Sequence, residues 1–72
     1  MRNRLKVERA ELDITQDDLA KMIGVSRQTI NSIEKNRYVP STILALKLSK
    51  VFNKHVSQLF ILETDDYQNI AR

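Results

Sequence analysis

Apolar side chains recur three and four positions apart along nearly the whole chain, the period of helices laid against a core. Leu5, Arg9 and Leu12 share one face of a first helix over about residues 3–12. Leu19, Ala20 and Ile23 make the inner face of a second. Thr15 stands where an N-cap belongs, and Asp17 and Asp18 follow in the first turn, where carboxylates complement the helix dipole. Gly24 comes directly after Ile23, where the chain must reverse through a left-handed residue. Ser26 is the expected cap of a third helix from Arg27 to about Lys35, with Ile30 and Ile33 inward and Asn36 as a left-handed stop. A polar loop from Asn36 to Pro40 leads to Ser41 or Thr42, which opens a fourth helix. Leu44, Leu48, Val51 and Phe52 share its face, and Asn53 ends it. Ser57 reads as the cap of a short fifth helix carrying Leu59 and Phe60. Beyond it, Ile61, Leu62 and Glu63 suit a short strand, and Thr64 to Arg72 reads as a frayed end.

The pattern predicts an all-α fold of five helices in one domain spanning residues 1–72, with 61–72 as an extension that is partly flexible or serves in dimerisation. A chain of 72 residues forms one small domain with a thin core. There are no cysteines, and the lone His55 has no second histidine to share a metal, so disulfides and the usual zinc routes are excluded and no metal or other cofactor is expected. His55 is read as a surface or cap residue without a functional role. No signal-peptide pattern and no stretch of membrane-spanning length is seen, which makes a cytoplasmic protein without membrane association the expectation.

Charge adds direction. The formal net charge is +3 and the sequence pI about 9.5. Through residue 60, eleven Lys and Arg stand against six Asp and Glu; from Ile61 onward, Arg72 stands against Glu63, Asp65 and Asp66. A basic body with an acidic tail suits a polyanion met by the body alone.

The most specific signal is the run from Gln16 to Lys35. Two short helices joined by a tight turn bury each other only if bulky, small and turn-forming residues alternate correctly. Leu19 and Ile23 supply bulk, Ala20 a close crossing, Gly24 the reversal, and Val25, Ile30 and Ile33 the closure of the pocket. A DNA-binding helix-turn-helix has these requirements. The stretch Thr15 to Asn36, TQDDLAKMIGVSRQTINSIEKN, resembles the phage-repressor-like (Cro/Xre) helix-turn-helix regulators. The resemblance continues through Tyr38-Val39-Pro40-Ser41, Leu44-Ala45 and Val56 to Phe60, and so covers roughly residues 3–60. It implies a compact five-helix lambda-repressor-like domain that binds double-stranded operator DNA, usually as a homodimer, and mostly represses transcription. Asp13 departs from the Gly or Asn common at that turn.

Chemistry and resemblance together assign roles. Arg27, Gln28 and Thr29 lie in the first turn of the third helix, with Asn31 and Ser32 a turn beyond, and these five are the candidate base readers. Arg27 suits guanine or a phosphate, Gln28 a bidentate pair with adenine, and the Thr29 methyl a thymine methyl. Gln16, Ser26, Lys35, Asn36, Arg37 and Tyr38 are the candidate phosphate contacts, Gln16 because it opens a helix whose N-terminus favours anions. Tyr38 serves equally as scaffold against Pro40. The resemblance implies that Arg9 and Glu34 form a partly buried structural ion pair. Phe60, Ile61 and Leu62 are the candidate dimer interface, the alternative being that they cap the monomer's own core. An antitoxin that autoregulates its operon, and an interaction module that kept only the fold, are the competing functions. An enzyme is not expected, since no catalytic constellation or phosphate loop is present, and no small-molecule ligand is expected either.

Overall fold

Three hydroxyl side chains set where helices begin. Thr15 Oγ1 accepts from the Asp18 N–H at 3.0 Å while the Asp18 carboxylate accepts from the Thr15 N–H at 3.0 Å, a reciprocal capping box. Ser26 Oγ accepts from the Thr29 N–H at 3.1 Å, and Ser41 Oγ from the Leu44 N–H at 3.2 Å. Left-handed residues then turn the chain: Gly24 (φ 78°), Asn36 (φ 60°), Asn53 (φ 53°) and Asp13 (φ 55°). The computed structural model describes residues 1–67, in the order β1 (Arg2–Asn3), α1 (Leu5–Glu11), α2 (Gln16–Ile23), α3 (Arg27–Glu34), α4 (Thr42–Phe52), α5 (Val56–Leu59) and β2 (Phe60–Ile61), followed by a 3₁₀ turn at Thr64–Tyr67.

The helices close around Leu5, Leu19, Ala20, Ile23, Ile30, Ile33, Leu48, Phe52, Leu59 and Phe60. Ile14, Val25, Leu44, Ala45, Val51 and Val56 pack on its rim. α2 lies chiefly against α3, and α4 against α5 and α2. Each fully buried Leu or Ile contributes about 1.5–3 kcal/mol of transfer free energy. Ala20, 2% exposed, keeps bulk out of this packed layer.

Several expectations are corrected. Leu12 is half exposed, because α1 stops at Glu11 and the chain turns away through Asp13. The face assigned to it is taken by Glu8, which is 3% exposed and bonded to Lys54 Nζ at 2.8 Å, with Arg4 Nε at 3.6 Å. This ion pair ties α1 to the turn before α5. α5 is capped by His55 rather than Ser57, and Gln58 Oε1 accepts the His55 N–H at 2.8 Å. Phe60 has left the helix for a strand. That strand comes earlier than Ile61–Glu63, and it has a partner: β2 pairs antiparallel with β1, Arg2 opposite Ile61 and Asn3 opposite Phe60. The ladder adds a two-stranded element to the predicted all-helical fold and draws Asn3 out of α1.

The expected fraying of Thr64 to Arg72 divides at Tyr67. The 3₁₀ turn folds back on the amino end, where the Met1 ammonium lies 2.9 Å from Asp66 and 3.1 Å from Glu63. The Asp66 carboxyl titrates below its ordinary range, chiefly because it accepts the Glu63 N–H and then because of the ammonium. Residues 68–72 lie outside the described residues.

Candidate nucleic-acid interface

α3 has two faces because its sequence changes duty every third and fourth residue. Ile30 and Ile33 are buried, while Arg27 and Gln28 are exposed and Asn31 and Ser32 half-buried one turn further on. On a helix, residues four apart are surface neighbours. Arg27 therefore stands beside Asn31 and Gln28 beside Ser32, a polar ledge along the outer side of α3. Thr29 is half-buried, and its hydroxyl lies 2.9 Å from Ser26 Oγ, which already accepts its N–H. Those two side chains brace the first turn of the helix as well as facing outward.

Two shallow recesses flank this ledge. One is lined by Gln16, Arg27, Gln28, Asn31 and Lys35. Ser26, Gln28, Thr29, Ser32, Arg37 and Tyr38 line the other. Ten of the eleven residues expected to meet bases or phosphates thus surround α3. Asn36 stands apart: its Oδ1 accepts from Asn3 Nδ2 at 2.9 Å, in a recess behind the ledge shared with Ile33, Tyr38 and Phe60. Its left-handed backbone and this bond make it part of the end of α3. Asn3 Nδ2 also donates to the Ile33 carbonyl at 2.8 Å, so the N-terminal strand pins the last turn of the helix. No local pattern points to Asn3, because its partners are some thirty residues away.

Behind the ledge sits a polar cluster. Arg9 Nε donates to Glu34 Oε2 at 2.8 Å, Arg9 Nη2 to Glu34 Oε1 at 3.3 Å, and Arg9 Nη1 to the Ile14 carbonyl at 3.0 Å. The Arg9 and Glu34 side chains are 17% and 5% exposed. The bond to Glu34 raises the Arg9 pKa further above its ordinary value, against the opposing effect of burial. Gln16 joins the cluster, its Nε2 donating to Glu34 Oε1 at 3.0 Å and to Asn31 Oδ1 at 3.3 Å. The start of α2, the end of α3 and the far end of α1 are thereby locked together.

The electrostatics follow from where carboxylates are missing. Between Gly24 and Leu62 the sequence has a single acidic residue, Glu34, and it is spent on Arg9. Arg27, Lys35 and Arg37 are exposed on or beside α3, and none has an ion-pair partner among the described residues. The surface on the Lys35 and Arg37 side of the ledge is therefore positive, while on the α2 side the exposed Asp13 and Asp17 share a recess with Gln16 and Arg27.

Two short helices crossing beyond a left-handed glycine, the second one capped and bearing an exposed polar ledge among unpaired cations, define a helix-turn-helix DNA-binding unit. A family model described as helix-turn-helix matches residues 5–59. An uncharacterized HTH-type transcriptional regulator of Methanocaldococcus jannaschii is 52% identical over 66 residues, which covers 92% of this chain and all of that protein. One from Bacillus subtilis is 42% identical over 66 residues, with the same 92% of this chain and all of its own length covered. The ImmF control region 10 kDa protein of Bacillus phage phi105 is 32% identical over 59 residues, 82% of this chain and 66% of its own. The chain belongs to the Xre/Cro-like helix-turn-helix family of DNA-binding transcriptional regulators, which are not enzymes. Its relatives are archaeal as well as bacterial and phage. No helix among the described residues is long and apolar enough to cross a membrane.

Proposed function

We propose that the protein represses transcription by binding a two-fold-symmetric operator as a homodimer, with α3 in the major groove. Arg27 and Gln28 carry the base reading, aided by Thr29, Asn31 and Ser32. Lys35, Arg37, Tyr38, Ser26 and the start of α2 at Gln16 follow the phosphates. The observation that carries this reading is the exposed Arg27–Gln28 pair on the capped end of α3, with the unpaired cations Lys35 and Arg37 exposed beside it. The likeness to a protein of a phage's ImmF control region supports control of transcription as the role.

Two protomers reading one operator place their α3 helices about 34 Å apart. Phe60 is in the monomer core, which removes it from the candidate interface and leaves Ile61, half-buried, and Leu62, 57% exposed. Leu62 follows β2 on the surface, where a second copy covers it.

Selection from random duplexes, followed by a salt titration, tests this. A preferred palindromic sequence is expected, with log affinity falling by about 5 per decade of salt if three cations from each protomer displace counterions. Binding to every duplex no better than to bulk DNA would overturn the proposal. Sedimentation of Leu62→Asp separates the dimer claim: the mass should fall to that of a monomer, and an unchanged mass moves the interface elsewhere.

A further inference from the structure

We propose that Gln16 holds the Asn31 amide in one orientation, so that Asn31 meets the groove as a hydrogen-bond donor only and selects guanine over adenine at one base position. This rests on the DNA reading proposed above and names one part of its code.

The orientation follows from a chain of donors and acceptors. Arg9 has donors only, and Glu34 as a carboxylate has acceptors only. The Gln16 amide must therefore turn its nitrogen, not its oxygen, toward Glu34, as found at 3.0 Å. That nitrogen has a second N–H, and it points to Asn31 Oδ1 at 3.3 Å. An amide NH₂ does not accept, so Asn31 must offer its oxygen to this bond. Its own NH₂ is left facing the recess between Gln16, Arg27 and Lys35. The buried ion pair thus dictates, through Gln16, which end of Asn31 reaches out.

An asparagine free to turn pairs bidentately with adenine, donating to N7 and accepting from N6. With its oxygen turned toward Gln16, Asn31 meets the groove with its NH₂, which does not accept the adenine N6 hydrogens. Guanine offers two acceptors, O6 and N7, to the one outward NH₂. Both Gln16 side-chain donors are used in the same bonds, which makes Gln16 a positioning residue.

The test is base-by-base affinity on the selected duplex. Asn31→Ala identifies the position where discrimination disappears. There the wild-type protein should prefer guanine to adenine by about 5- to 100-fold. Replacing that guanine with 7-deazaguanine should weaken wild-type binding and leave Asn31→Ala unaffected. Gln16→Ala should bring the guanine-to-adenine ratio close to one at that position and leave the other positions unchanged. A uniform loss of affinity from a looser helix does not move this ratio. Asn31→Asp keeps the Gln16 bond but presents an acceptor, and should shift the preference to cytosine. A wild-type preference for adenine, a ratio that survives Gln16→Ala, or no position altered by Asn31→Ala would each overturn the inference while specific binding stands. Absence of any preferred duplex overturns both readings together.

Discussion

Replacing Glu34 by alanine removes one side of the Arg9–Glu34 pair and leaves a cation stranded beneath the interface. Glu34 accepts from Arg9 at 2.8 and 3.3 Å and from Gln16 at 3.0 Å. Arg9 then retains only the Ile14 carbonyl at 3.0 Å, with its side chain 17% exposed. Breaking one side of a buried pair costs about 3–5 kcal/mol, since the remaining charge is neither solvated nor matched. A chain of 72 residues holds a total stability of about 4–11 kcal/mol. Such a loss is therefore a large share of the whole, and lowers the melting temperature by more than about 10 °C. Replacing both partners with apolar residues, Arg9→Met with Glu34→Leu, should restore most of the loss, because two desolvated charges leave together. Urea denaturation of wild type, Arg9→Met, Glu34→Leu and the double variant closes the cycle and gives the coupling directly. Single variants that each cost less than about 1 kcal/mol would refute the reasoning, since that is how a solvent-screened surface pair behaves.

Three further outcomes are expected. Gly24→Ala should cost about 1–2 kcal/mol from backbone strain alone, since φ is +78° and a Cβ there meets nothing within 4 Å; a larger loss in thermal melts would mean a clash that the structure does not contain. Leu48→Ala should cost about 2–5 kcal/mol, while Ile43→Ala on the exposed side of the same helix stays within about 0.5 kcal/mol in the same denaturation assay. The Asp18 carboxyl titrates below its ordinary value of 3.8 because it accepts the Thr15 N–H. Its support for α2 is thus complete above that value and is lost as pH falls through the lower folded one; Asp18→Asn should flatten this part of the stability-versus-pH curve, and an unchanged curve would place the acid sensitivity elsewhere.

What the sequence makes legible is local. Thr15, Ser26 and Ser41 cap helices because a hydroxyl or carboxylate needs only the next turn to bond, and Gly24, Asn36 and Asn53 turn left-handed for reasons contained in their own side chains. Ile30 and Ile33 are buried where helical spacing puts them. What stays hidden is decided across the chain. Glu8 looks like one more surface acid of an i,i+4 pair until Lys54, 46 residues on, arrives to bury it. Asn3 carries no helix-capping signal for α3, yet its amide closes that helix. Leu12 satisfies the helical period but falls after α1 has ended, and periodicity alone does not see the stop at Glu11. His55 and Ser57 are both plausible caps by residue type, and what separates them is that Gln58 stands three residues after His55 to complete the box. At the interface, the identity of the outward residues is readable from position, whereas the direction in which the Asn31 amide points depends on Gln16, fifteen residues earlier.

The antiparallel ladder has a mechanical consequence. Arg2 opposes Ile61 and Asn3 opposes Phe60, so the chain enters and leaves the ladder at the same end. Tension between the segments before Arg2 and after Ile61 does not shear the two strands; once the Met1 ammonium leaves Asp66 and Glu63, it unzips them, Arg2–Ile61 before Asn3–Phe60. Asn3 moves with the second pair, and its amide then lets go of the Ile33 carbonyl and the Asn36 side chain. A tug at the ends therefore reaches the last turn of α3 through Asn3.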